Sequence, residues 1–430
     1  MKLLHTSDWH LGHLLNGTFK RNKEFASLFD WLLDLVESEG VDLFLIAGDV
    51  FDSPNPPIDA VTQYYDFISK LSETDCRHLV VVGGNHDSGA RLDAPGGVLE
   101  LIDGLNVHVV GSINPEDPLR EVLVLRDVRN NPEAVVCAIP YIPDRFLRTA
   151  EFGESWKDRT AKMLDGLKEH YHTVCAAAEQ ERDRIKVETG KEVPLIVTGH
   201  LFTKGSETKC TGDDGVRNLT LGGLYGAGLD IFPPSASYVA LGHIHSPHAV
   251  GNRKHIRYSG SILPIGFDET VYPKKLCLVD FDGAAAQVKE VEVPGFRPMK
   301  RVLSDDVEEV YRQIDAMNQE IGEEDGYFKV SYTGEYVHGL YDEIVRRTEG
   351  TRLHCCGVQQ KNFRPASGMN ATHEGESVKD LSEYDVFDRL LASKKIPEEE
   401  RGMLVRLFTE AVNSVKEKDD GIESGKEPTR

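Results

Sequence analysis

The chain has 430 residues, 49 basic and 71 acidic side chains and a formal net charge of −22. That balance excludes a protein that coats nucleic acid through a broad basic surface, although bound divalent cations can reverse the field at one spot. Seven cysteines without a C-x-x-C pair fit a reduced, cytoplasmic protein, and neither a leader-like segment nor an uncharged apolar run long enough for a membrane span is present.

Leu3 and Leu4 open a short strand that ends in Ser7-Asp8-Trp9-His10, so Asp8 and His10 leave it together. Over residues 21–39 the apolar side chains Phe25, Leu28, Phe29, Leu32, Leu33 and Val36 recur at three and four, which predicts a helix with one buried face, stopped by Gly40. Residues 43–47 are apolar throughout, as in a parallel strand covered on both faces, and deliver Gly48-Asp49. A Pro-rich turn opens a second helix that ends near Leu71. The run 79–82 is the third such strand. It meets Gly83-Gly84-Asn85-His86-Asp87-Ser88, a tight turn presenting an amide, an imidazole and a carboxylate in succession.

Strands near 107–110, 123 and 135–139 either extend this sheet or start a second one. A charged helix over 155–188 keeps one apolar face at Leu164, Leu167, Tyr171 and Val174. Residues 194–198 form a buried strand ending in Gly199-His200, and 238–241 another ending in Gly242-His243-Ile244-His245. Strands near 256–258 and 276–281 close this first domain at about residue 285.

A smaller α+β unit is expected over 294–362, with strands near 299–302, 327–332 and 353–358 alternating with helices near 305–318 and 340–347. Residues 363–378, rich in small and polar side chains, read as a linker. Two amphipathic helices follow within 379–418, the second carrying Met403, Leu404, Leu407, Phe408, Ala411, Val412 and Val415 on one stripe. That stripe either covers the chain's own core or meets a partner, and the linker before it favours a partner. The charged tail 419–430 reads as disordered.

Five segments thus deliver Asp8 with His10, Asp49, Asn85 with His86, His200, and His243 with His245, each at the C-terminal end of a strand, where open α/β sheets place ligands. Carboxylates, an amide and imidazoles make an oxygen and nitrogen field suited to Mn, Fe or Zn rather than Mg or Ca. No thiolate takes part, so a structural zinc site fits poorly. The donors are too many for one ion; two ions sharing a bridging carboxylate would use them.

In this order, D-x-H, G-D, G-N-H-D, G-H and G-H-x-H resemble the motif series of the calcineurin-like metallophosphoesterases. Residues 6–12 and 48–52 and the layout of the chain resemble, within that superfamily, the SbcD family of nuclease subunits. The motifs cover about residues 1–280; the rest matches in layout alone. The resemblance implies an α/β fold, a sandwich of β-sheets flanked by helices, with a smaller α+β capping domain and C-terminal helices. It implies one metal on Asp8, His10, Asp49 and His245 and another on Asn85, His200, His243 and the bridging Asp49, with manganese as the ion. His86 is then a catalytic imidazole facing the scissile phosphate without binding metal, and Asp87 orients it.

The implied function is a DNA nuclease with double-strand exonuclease and hairpin or single-strand endonuclease action, serving DNA end processing, repair and recombination. The implied partner is an SbcC-like ATPase of the SMC family, bound through 379–418, with a homodimer inside a heterotetramer. Archaeal relatives carry His where this chain has Asp52, which puts the contribution of that position to endonuclease action in question. Arg21, Arg91 and Lys204 flank the motifs as candidates for DNA phosphate contacts, with ordinary solvated charge as the other reading. Two alternatives stand beside the nuclease: a small-molecule phosphodiesterase or phosphatase of the same superfamily, which needs neither cap nor terminal helices, and a scaffold that has lost catalysis. The scaffold should show gaps among its ligands, and none is missing.

Overall fold

The computed structural model describes residues 1–148, 156–206, 226–322 and 324–360. The linker, helical pair and tail expected beyond residue 362 lie outside the described residues.

Strand periodicity sets the layers. In the strand Leu43–Ala47 every residue is buried; Leu43, Leu45 and Ala47 enter one core, Phe44 and Ile46 the core on the opposite face. The continuous apolar run therefore reports a strand covered twice. One sheet has the strand order Ala285–Glu292, Lys275–Asp282, Lys2–Thr6, Leu43–Ala47, His78–Val82, Asn106–Val110. The other runs His248–Val250, Arg253–Tyr258, Tyr238–Gly242, Leu195–His200, Pro132–Cys137, Val122–Arg126. Of the loosely patterned strands, Asn106–Val110 thus extends the first sheet, while the next two belong to the second.

The two sheets stack through a shared core in which Leu3, Leu45 and Val80 meet Val136, Ile196 and Ala240. On the outer face of the first sheet, Phe25, Leu28, Leu32 and Phe67 from the helices Asn22–Glu39 and Ile58–Leu71 cover Trp9 and Phe44. Gly40 ends the first of these helices in the left-handed region at φ 65°, the stop read from sequence. On the outer face of the second sheet lies the helix Trp156–Thr189, which packs Tyr171, Val174, Ala178 and Ile185 on Val135, Val197 and Val239. Each of these valines and the isoleucine, fully buried, contributes roughly 1.5–3 kcal/mol. The result is helix, sheet, sheet, helix: a sandwich flanked by helices.

The sandwich runs past residue 285, because Ala285–Glu292 folds back on Lys275–Asp282 as an edge hairpin. The apolar residues of that strand, Ala285, Ala286, Val288 and Val291, are small or separated by polar neighbours, so an apolar-run reading passes over it. The α+β unit follows as a three-stranded sheet, Met299–Ser304, Gly326–Tyr332 and Leu353–Gln360, with the helices Val307–Glu320 and Leu340–Thr348. Its core unites Val302, Val310, Ile314, Phe328, Leu340 and Ile344. Tyr327 and Cys356 of this unit also cluster with Leu15 and Phe267 of the sandwich. Both parts consequently belong to one compact unit, Met1–Tyr332 with Val337–Gln359. Among the described residues the six cysteines form no disulfide, and no helix is long and apolar enough to cross a membrane.

Candidate metal centre

Strand register brings the polar segments to one edge. Thr6 pairs with Ile46, and Ala47 with Val82, so Asp8, Asp49 and Asn85 emerge side by side. In the other sheet Gly242 pairs with His200, which aligns His200 with the loop carrying His243 and His245. Four of the expected ligands take left-handed backbone: Asp8 at φ 52°, His10 at 49°, Asp49 at 50° and His243 at 92°. Non-glycine residues there cost roughly 1–3 kcal/mol each, strain that persists where the surroundings over-determine it. Here the backbone bonds from Asp8 N to Gly48 O and from His10 N to Asp49 O, both 3.0 Å, hold the kinks in place.

The seven expected ligands converge in two overlapping sets. Around the first, His10 Nε2 lies 3.2 Å from His245 Nε2 and 3.7 Å from Asp49 Oδ2, while His245 Nε2 lies 3.9 Å from Asp8 Oδ1. Around the second, His200 Nε2 lies 3.3 Å from Asp49 Oδ2 and 3.0 Å from Asn85 Oδ1, and His243 Nδ1 lies 2.9 Å from the same Asn85 oxygen. Asp49 belongs to both. Donors bound at about 2.0–2.2 Å to one ion stand about 3 Å from one another, so these spacings fit edges of coordination polyhedra. The chemistry of the donors agrees: His200 turns Nδ1 to the Ala47 carbonyl at 2.9 Å, leaving Nε2 to face two oxygen acceptors, Asp49 and Asn85. A proton or a cation must sit among these lone pairs.

The titration pattern says the same. Burial opposes ionisation of Asp49, but the His200, His10 and His86 imidazoles outweigh it and hold the carboxyl below its ordinary range. Burial also works against a charged His200, and Asp49 with Asp8 reverses that, raising it to about 9. His243, desolvated and next to His200, falls to about 4. The buried charge thus gathers protons that divalent cations would replace. His86 comes within reach of His10 and Asp49, but its Nδ1 is engaged by the Asp52 backbone carbonyl at 2.9 Å.

A model of the calcineurin-like phosphoesterase family matches residues 1–247, and a model described as the type 5 capsule protein repressor C-terminal domain matches 295–395. The SbcD subunit of the nuclease SbcCD of Escherichia coli K12 is 33% identical over 417 residues, 96% of this chain and 98% of that protein. The Bacillus subtilis 168 protein of the same name is 29% identical over 97% of this chain and 100% of its own length. This chain belongs to the calcineurin-like phosphoesterases, in the SbcD family of nuclease subunits. It is a metal-dependent phosphodiesterase.

Around the donors, this phosphoesterase carries residues that its motifs do not announce. Glu269 Oε1 lies 2.7 Å from His245 Nδ1, and its other oxygen meets Lys274 Nζ at 2.5 Å and Ser261 Oγ at 3.0 Å. Burial pushes the Glu269 carboxyl up; Lys274 and His245 overcome it and hold the group below the ordinary carboxylate range. Asp52 Oδ1 lies 3.3 Å from His10 Nδ1 and 3.1 Å from His13 Nδ1. No sequence signal marks Glu269, 24 residues beyond its histidine.

Two expectations are corrected. Asp87 does not orient His86: its carboxylate accepts backbone N–H groups of Gly84 at 2.9 Å, Val50 at 3.1 Å and Phe51 at 2.9 Å. Three amides in reach satisfy it better than one imidazole, and His86 takes the Asp52 carbonyl instead. Arg21 does not reach out for phosphate: it is 1% exposed, paired through both Nε and Nη2 with Glu24 and bonded to the Pro264 carbonyl. Arg91 and Lys204 are exposed, with Arg91 on the Asn55 side chain.

Proposed function

We propose that this chain is a DNA nuclease subunit that hydrolyses phosphodiester bonds with two divalent cations, manganese by preference. One cation is held by Asp8, His10, Asp49 and His245, and the other by Asp49, Asn85, His200 and His243. The single observation that carries the reading is the convergence of these seven donors, from five strand ends, around one shared carboxylate with the His86 imidazole beside it. When bound, the cations supply positive charge that polarises the phosphate and acidifies a water.

The chain's own residues do the rest. His86 donates Nδ1–H to the Asp52 carbonyl, which turns Nε2 away from that bond; as the imidazolium, the ring carries a second proton on Nε2 that it gives to the departing sugar oxygen, becoming neutral as it does so. The His86 backbone N–H donates to Asp49 Oδ1 at 2.8 Å, so the shared carboxylate also positions the catalytic turn. Asp87 contributes by fastening that turn to the Val50 and Phe51 backbone.

The related proteins are named as subunits of nuclease SbcCD. By extension the partner is an SbcC-like SMC-family ATPase, met by the helices within 379–418, with two copies of each subunit in a cytoplasmic heterotetramer. A net charge of −22 leaves the isolated subunit little non-specific affinity for duplex DNA, which resides in the partner or in a dimer cleft. The test is a manganese-dependent assay on end-labelled duplex, hairpin and single-stranded DNA with wild type and His86→Ala. DNA cleavage abolished by the substitution is expected; cleavage confined to a small chromogenic diester favours a small-molecule phosphodiesterase. Removing 379–430 should abolish co-purification with the ATPase, and full-strength co-purification would discard the partner assignment.

A further inference from the structure

The two proposed metal positions differ in what stands behind their histidines. At the first, His245 turns Nε2 inward and has Glu269 Oε1 hydrogen-bonded to Nδ1 at 2.7 Å, while His10 turns Nε2 inward and faces the Asp52 carboxylate 3.3 Å from Nδ1 as an ion-pair contact outside hydrogen-bond geometry. At the second, His200 has only the Ala47 carbonyl on its outer nitrogen. His243 faces Asn85 through Nδ1, and among the described residues no carboxylate hydrogen-bonds its ring. A carboxylate accepting the outer N–H fixes the tautomer, aims the other lone pair and makes the ring a stronger donor than a carbonyl does. The inner donors run the same way, since the first position has Asp8 in addition to the shared Asp49, whereas the second has the neutral Asn85.

The Glu269 arrangement is built rather than incidental. The side chain is 1% exposed and every polar neighbour converges on it: Lys274 Nζ, Ser261 Oγ and the Ile265 N–H share Oε2, leaving Oε1 to His245. Lys274 Nζ also touches the His245 carbonyl at 3.2 Å and Ser261 Oγ at 2.7 Å, so the same ion pair holds the ring and the backbone of that histidine. Asp52 is shared between His10 and His13 and is a third exposed at its side chain, an arrangement that tolerates substitution.

We infer that the two cations are bound unequally, and that Asp52 and Glu269 are positioning residues that make the Asp8, His10, Asp49, His245 position the tighter one. This rests on the ligand reading proposed above. It also gives Asp52 two roles: its side chain serves the first metal position and its backbone carbonyl serves His86.

The experiment uses the full-length chain, stripped of metal by a chelator and desalted, with Mn2+ binding followed by the electron paramagnetic resonance signal of the free ion. Wild type should bind two ions in separate classes at least about tenfold apart. Asp52→Asn and Glu269→Gln should each loosen the tighter class by about tenfold or more and leave the weaker class unchanged. Thermal melts of the metal-free variants separate lost folding from lost positioning; if Glu269→Gln melts early, the more exposed Asp52→Asn decides. Two equal classes in wild type, or variants that shift both classes alike or neither, would overturn the inference. His245→Ala and His200→Ala test the underlying ligand reading separately: each should lose one ion, the tighter and the weaker respectively. If both variants still bind two ions, the ligand reading fails and the inference with it.

Discussion

Asp87 Oδ1 accepts the Phe51 N–H at 2.9 Å, tying the turn after one strand to the turn after its neighbour. With Gly84 and Val50 on the other oxygen, the carboxylate satisfies three backbone donors that no strand partner takes up. Asp87→Asn exchanges one acceptor oxygen for a donor facing those amides. It should destabilise the protein by about 1–3 kcal/mol, the cost of stranding a buried donor, and weaken metal binding as Asp49 and Asn85 drift. His86→Ala should do the opposite: a fall of roughly 10²- to 10⁴-fold in turnover with melting and Mn2+ affinity unchanged. Melting curves and Mn2+ titrations of both variants decide between these roles, and a His86→Ala protein that melts as early as Asp87→Asn would move His86 into the structural class.

Arg21 and Glu24 should behave as a buried pair. Arg21→Ala leaves the Glu24 carboxylate, 3% exposed, without its counter-charge, a change that costs about 3–5 kcal/mol in comparable sites. Replacing both, as Arg21→Met with Glu24→Leu, should recover most of that loss. Duplex affinity of the folded single variant should match wild type. Normal denaturant resistance together with weakened DNA binding would restore Arg21 as a phosphate contact.

His5 lies wholly between the sheets with Nδ1 2.9 Å from the Tyr238 hydroxyl, and Nε2 meets no hydrogen-bond partner. Burial, assisted by Arg257, lowers its pKa to about 3. Below an unfolded-state value of about 6.5 the unfolded chain takes up a proton that the folded chain refuses. Stability is therefore fully present above about 6.5 and is lost as pH falls toward about 3, with a slope near 1.4 kcal/mol per unit. His5→Gln should flatten this slope. Melting in chelator between pH 7.5 and 5 checks it, and parallel pH profiles for the two proteins would refute the assignment.

The chemistry is legible where it lies in contiguous residues. Runs such as 43–47 and 79–82 announce themselves because both faces are buried, and a polar residue straight after such a run has few structural reasons to be there. Contacts made across the fold are not legible in this way. Glu269 reaches His245 only through the packing of the segment around Phe267, and nothing in its own neighbourhood distinguishes it from a surface glutamate. Arg21 and Glu24 have a visible helical spacing of three, but their burial depends on Pro264, 243 residues away. Asp87 departs from expectation for a local reason: in a tight turn adjacent side chains diverge, so adjacency to His86 carries no information about contact. The edge strand Ala285–Glu292 has a solvent face that dilutes its apolar signal.

The glycine at position 84 is required by proximity rather than by backbone conformation. A Cβ there would stand 2.2 Å from both the backbone nitrogen and Oδ1 of Asp49, which no side-chain rotation can relieve at the nitrogen. Asp49 is shared by both donor sets and accepts the His86 N–H, so displacing it disturbs every part of the centre at once. Gly84→Ala should abolish two-ion Mn2+ binding and reduce hydrolysis by at least about 100-fold, the usual consequence of a shift near 1 Å in reacting groups. Gly96→Ala is the control: nothing lies within 4 Å of its added methyl, and alanine in that short helix should leave activity intact and raise stability by a few tenths to about 1 kcal/mol. Paired Mn2+ titrations and melts read both variants. If Gly84→Ala kept both ions at wild-type affinity, Asp49 could not be the carboxylate they share, because the methyl cannot be accommodated without moving it.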